Sequence, residues 1–112
     1  MSYDIGLKMM LDTGGAEPFE VRLGAWNYTH NCWRMFDLAG VRGVLKSDGT
    51  MLAADALPIL ARGVLRMEAD PDAYRALNPQ NGWGSYDGAL AFVRAILDGC
   101  RAHPKATVWT GY

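Results

Sequence analysis

Apolar and polar positions alternate strictly near the start of the chain. Tyr3, Ile5, Leu7, Met9 and Leu11 fall on one side, and Asp4, Gly6 and Lys8 on the other. Successive side chains of an extended chain point to opposite faces, so this alternation predicts a half-buried strand from Tyr3 to Leu11. Asp12-Thr13-Gly14-Gly15 reads as a turn, and Phe19, Val21 and Leu23 alternate with Glu20 and Arg22 in a second strand that closes a hairpin. Gly24 permits a bulge or bend before Trp26 to Thr29 continue as extended chain.

The pattern then changes to helical spacing. Cys32, Met35, Phe36 and Ala39 form the apolar stripe of a helix predicted from His30 to Ala39, with Thr29 or Asn31 as cap and Gly40 as its left-handed end. His30, Arg34 and Asp37 lie off that stripe. Arg42 to Met51, with its Asp48-Gly49 turn, reads as a loop. A second helix is expected from Ala54 to Ala69, starting near Asp55 so that Pro58 falls in its first turn, with Leu57, Leu60, Ala61, Val64 and Leu65 inward. Asp70-Pro71 then opens a short helix to Leu77.

Asn78 to Gly84 is a loop rich in Asn, Pro and Gly, and Ser85 caps a long helix from Tyr86 to Ala102. That helix carries Tyr86, Leu90, Val93, Leu97 and Cys100, with Phe92 and Ile96 as a second apolar face, so it is expected to pack centrally. Pro104 ends it, and Ala106 to Thr110 reads as a final strand with Val108 and Tyr112 inward. The predicted fold class is α+β. A small, largely antiparallel sheet, made from the N-terminal hairpin plus a C-terminal strand, is covered on one face by three to four helices.

Composition narrows the function classes. The 112 residues are the size of one domain, and 50% are hydrophobic, enough for a core without disulfides or metal. A net charge of −1 offers no electrostatic footprint for a nucleic-acid polymer or an anionic membrane. Charged residues interrupt every apolar stretch before it could span a bilayer, and Asp4 and Lys8 break the one candidate signal segment. Cys32 and Cys100 match no zinc spacing, so two reduced thiols, a cytoplasmic setting and no cofactor are expected.

Chemistry concentrates at two junctions. Asn27, Thr29 and Asn31 gather where extended chain meets the first helix, whose free N–H groups favour an anion, and Arg34 follows one turn on. The run from Asn78 to Asp87 has the same character, with amides, glycines and aromatics but no Lys, and is neither a Walker motif nor a dinucleotide fingerprint. The plainer alternative is that Thr29 and Asn31 only cap a helix, Asn27 ties down a bulge and Trp83 plugs the core edge. His30 and Cys32 do not make a nucleophile pair, since residues two apart on a helix point about 200° apart. The histidine is expected at the surface and the cysteine buried and inert. His103 reads as a cation at a helix end, and no metal site is expected.

The opening Met1-Ser2-Tyr3-Asp4-Ile5, the Asn27-x-Thr29-x-Asn31 core and the ending Pro104-x-Ala106-x-Val108-Trp109-x-Gly111 lie in order across nearly the whole chain. In these pieces the chain resembles a family of small uncharacterised proteins of tailed bacteriophages and bacteria. Members look similar in having a longer polar, glycine-containing segment before the Asn-x-Thr-x-Asn core, which is short here. The resemblance implies no catalytic residue. It implies a phage setting, and with it a host-takeover or counter-defence role in the host cytoplasm, such as sequestering a nucleotide signal.

Three functions are therefore carried forward. The first is a non-enzymatic domain holding a small polar or anionic, nucleotide-like ligand between the two helix N-termini. Its contacts would come from Asn27, Thr29, His30, Asn31, Arg34, Asn81, Trp83, Ser85 and Tyr86. The second is a protein-interaction or oligomerisation module with aromatic anchors, for which Trp109 and Tyr112 suggest a homodimer. The third is a small hydrolase or transferase using His30 or Asp87 as base, although no nucleophile–base pair is legible. The first requires that two helix beginnings, distant in sequence, open into one hollow.

Overall fold

The computed structural model describes residues 2–12, 14–15 and 17–111. Strands β1 (Ser2–Leu11) and β2 (Phe19–Thr29) form the hairpin, and β3 (Thr107–Gly111) returns antiparallel to the other side of β1. The sheet order is β2-β1-β3, with every pairing antiparallel. Helices α1 (Trp33–Ala39), α3 (Ala53–Ala69) and α5 (Tyr86–Ala102) cover one face. The α+β architecture is the one the hydrophobic pattern predicts. Tyr112 and its expected inward side chain lie outside the described residues.

Alternation along β1 sets the layering. Tyr3, Ile5 and Leu7 are fully buried beneath the helices, and Val108 of β3 continues the same face beside Leu7. The anticipated bulge is present: Leu7 pairs with Gly24 and Lys8 with Arg22, leaving Leu23 as the extra residue. On the opposite face the Trp109 indole lies across Gly6, with ring atoms 2.3 Å from where a Cβ would stand. Only glycine admits that ring so close to the backbone.

The helical layer departs from expectation in four places. The first helix opens with a 3-10 turn (His30–Cys32), and Gly40 ends it in the left-handed region at φ 79°. The segment read as a loop contains a single-turn helix, α2 (Arg42–Leu45), because Val44 and Leu45 are fully buried and need a helical turn to face the core together. Its Asp48-Gly49 turn does form, closed by the Thr50 N–H on Asp48 Oδ1 at 3.1 Å.

Helix α3 begins at Ala53, two residues before the predicted start, so Pro58 lies inside it rather than in its first turn. The earlier start is stabilised from a distance. Ala53 N–H donates to Ala106 O at 2.8 Å and Ala54 N–H to Pro104 O at 2.9 Å, satisfying first-turn donors that a helix leaves open. The buried stripe of α3 is Ala53, Ala56, Leu60, Gly63, Val64 and Met67, whereas Leu65, expected inward, is 66% exposed. Close approach decides the rotation: Val41 Cγ1 lies 2.2 Å from the Cβ position of Gly63, so the small side of the helix turns inward. The short helix α4 (Pro71–Arg75) follows its Asp70 cap and stops before the predicted Leu77.

Gly63→Ala is expected to destabilise the fold by about 1–2 kcal/mol, since overpacking a buried β-branched neighbour outweighs the helix propensity gained. Gly43→Ala, with open space around it, should be neutral or stabilising by up to about 1 kcal/mol. Urea unfolding of the two variants checks the sign of each.

Candidate functional site

Five polar side chains at the two junctions, those of Asn27, Thr29, Asn78, Asn81 and Ser85, are held by hydrogen bonds within the chain. Thr29 is extended (φ −65°, ψ 138°) and its Oγ1 accepts from the Asn31 N–H at 3.3 Å, capping the 3-10 turn. Asn27 donates its amide to Ser2 Oγ at 3.0 Å and to the Asp4 carboxylate. In the second junction Ser85 Oγ accepts from Gly88 N–H at 3.2 Å, Asn78 Oδ1 from Tyr86 N–H at 2.9 Å, and Asn81 Oδ1 from Trp83 N–H at 3.0 Å. Short side chains bonding to nearby backbone is the ordinary way such loops are held.

What joins the junctions is Tyr28. Its hydroxyl accepts from the Ser85 N–H at 3.0 Å and lies 3.3 Å from Ser85 O as donor, a bridge between β2 and the start of α5. The ring comes so near the helix that a Cβ on Gly88 would stand 2.1 Å from the Tyr28 hydroxyl. Gly84, at φ 101°, is equally tight against Thr29 Cγ2 and Cys32 Sγ, at 2.6 and 2.7 Å from its Cβ position. The two loops therefore meet.

Between them lies an open cleft of about 680 Å³, lined by Ser2, Asn27, Thr29, His30 and Asn31 from one side and Asn81 and Trp83 from the other. Six of the nine residues expected at a binding site thus share one hollow. Arg34 does not: it faces a separate depression of about 300 Å³ beside Asn31, Trp33 and residues 76–80, because it lies about 5 Å further along the helix axis. Ser85 and Tyr86 are not on the wall either. Ser85 is spent on capping and on Tyr28, and the buried Tyr86 donates its hydroxyl to Met67 O at 2.7 Å. Trp83, expected at the core edge or in the cleft, stands at the rim 70% exposed.

The electrostatics of the cleft are unlike those of an anion site. No Lys or Arg is among its lining residues. His30 is half-buried rather than on the surface, stacked on Tyr3 with ring centroids 5.0 Å apart. Burial first, then the nearby charges of Lys46 and Arg42, hold its imidazole below the ordinary value of 6.5, so it is neutral at pH 7. The carboxylate of Asp4 is bonded by the amide of Asn27, a lining residue, and so places a negative charge beside the cleft. Burial also raises the Cys32 thiol and pushes Cys100 up to about 11, so both remain protonated and unsuited to attack.

No family model, curated protein or solved structure matches the chain. Among the described residues no group of three or more His, Cys, Asp or Glu could hold a metal ion. Among the described residues no helix is long and apolar enough to cross a membrane.

Sequence reasoning missed Ser2 as a wall of the cleft and Tyr28 as the tie. A signal for Tyr28 was present, since Gly88 interrupts a helix that otherwise favours larger residues. An interior glycine of that kind marks close approach by another group.

Tyr28→Phe strands the Ser85 N–H and should cost about 1–2 kcal/mol, read as a lower urea midpoint. His30 has a folded-state pKa below its unfolded one, so its contribution is full above about pH 6.5 and is lost as pH falls through the folded value. The stability difference between wild type and His30→Gln should shrink between about pH 7 and about pH 5, measured by urea unfolding at each pH.

Proposed function

We propose that this chain is a protein-interaction module whose cleft, rimmed by Trp83, receives an exposed segment of a partner protein. The carrying observation is Trp83 itself, a large amphipathic ring 70% exposed at the mouth of an open cleft. A tryptophan left in water beside a concave surface has most of its apolar area still to bury, which is the usual make-up of a binding hot spot. The cleft is broad and open, its polar groups are largely engaged within the chain, and it lacks cationic side chains. Those features suit a polypeptide laid across it better than an enclosed anion. The phage resemblance suggests a host protein in the cytoplasm as the partner.

A second reading is favoured by the meeting of the two junctions. Asn27, Thr29, Asn31 and Asn81 around one hollow suit a small polar ligand. With His30 neutral and Asp4 close by, that ligand would be uncharged rather than anionic.

Peptides selected from a random display library on the wild-type protein should bind Trp83→Ala about thirtyfold more weakly, the loss expected of an aromatic hot spot. Selection that enriches nothing, or peptides indifferent to residue 83, would sink the module. Calorimetry with neutral nucleosides and with nucleotide phosphates separates the second reading, which expects heat from the neutral compounds alone.

A further inference from the structure

The two edges of the sheet are treated differently. Beside β3 the chain covers itself: Val108 N–H donates to Met51 O at 2.8 Å, Leu52 bridges Thr107, and Thr110 Oγ1 donates to Ser47 O at 2.7 Å. Along the outer edge of β2 no strand pairs among the described residues, over all 11 residues of Phe19–Thr29. That edge contains neither Pro nor Lys, and the bulge at Leu23 is its one irregularity. An open strand of this length is a template for further pairing unless it is blocked.

The hairpin also outruns its cover. Gly99, in the last turns of α5, already sits over Leu7 and Trp26; Met9 still packs against the core, and beyond it Met10, Leu11 and Phe19 are exposed. Leu11 and Phe19 face each other there at 43% and 50% exposure, and Met10 on the other face is 60% exposed.

We infer that the outer edge of β2 is a homodimer interface, in which two copies pair antiparallel about a two-fold axis at Val21 and continue the three-stranded sheet into one of six strands. The charges on the edge select a second copy as occupant. Glu20 and Arg22 flank Val21 on one face, so antiparallel pairing about Val21 sets Glu20 of each chain opposite Arg22 of the other. Within one chain these charges are only loosely matched, with Glu20 Oε1 3.9 Å from Lys8 Nζ and 4.0 Å from Arg22 Nε. Arg22 rests over the Trp109 ring at 4.7 Å, on the sheet face away from the helices, and in the dimer it turns outward from that ring to meet Glu20 of the second copy. On the other face the same register brings the two Val21 side chains together and sets Phe19 beside Leu23 of the second copy. A two-fold interface must be self-complementary, and a Glu–x–Arg edge meets that condition in one register. The Trp83 cleft lies at the far end of β2, beside Thr29, so each proposal can fail alone.

Sedimentation velocity over a concentration series should show a dimer for the wild type and for Trp83→Ala. Glu20→Arg or Arg22→Glu alone should weaken it about tenfold or more, and the double charge reversal should restore it. Val21→Cys should give a disulfide-linked dimer with oxidised glutathione, since directly opposed residues lie within disulfide range, while Thr50→Cys on the covered side should not. Cys32 and Cys100 are buried and do not compete. A wild type that stays monomeric at its highest attainable concentration overturns the interface. So does a dimer that tolerates either single reversal, or one in which Thr50→Cys links and Val21→Cys does not.

Discussion

The docking of α5 onto the sheet is the constraint from which the rest follows. Two glycines of that helix, Gly88 and Gly99, are separated by 11 positions, which returns them to nearly the same side of an α-helix. Gly88 admits the Tyr28 ring and Gly99 admits Trp26, both from the helix-facing side of β2. A side chain at either position would hold the helix off the sheet. Because the two surfaces can approach so closely, Tyr3, Ile5 and Leu7 of β1 and Val93, Ile96 and Cys100 of α5 are all shut away from water in one core. Burial on that scale supplies most of the driving force for folding.

The same docking makes the cleft. Once the Tyr28 hydroxyl is fixed to the Ser85 backbone, the start of α5 and the end of β2 must lie side by side, and the loop 79–84 is carried across the strand–helix junction. The local caps account for how each loop is held but not for their meeting. That meeting comes from one half-buried tyrosine and from the glycines that make room for it. The resulting surface is open, without cationic side chains and rimmed by a tryptophan, and its character follows from polar groups already committed inward.

The sheet edges illustrate a related point. Self-covering beside β3 depends on residues 47–52 passing along Thr107 to Thr110, and the adjoining bonds from Ala53 to Ala106 and from Ala54 to Pro104 start α3 early. Among the described residues no comparable segment runs along the outer edge of β2. One run of neighbouring contacts thus protects an edge and resets a helix boundary, while the outer edge of β2 pairs with no strand among the described residues.

Short-range periodicity determined the two hairpin strands, the bulge near Gly24, the left-handed stop at Gly40 and the span of α5, since each depends on residues a few positions apart. The polar character of both junctions was equally legible, because capping chemistry is local. The tertiary structure alone decided the outcome wherever distant groups compete for one place. It turned α3 so that Gly63 meets Val41 and Leu65 faces water, and it folded Arg42–Leu45 into a helical turn to bury Val44 and Leu45. It also separated Arg34 from the cleft, and it brought Asn31 and Asn81 to the same hollow through Tyr28. A sequence pattern records which faces are apolar; only packing decides how closely two faces approach, and therefore what is left between them.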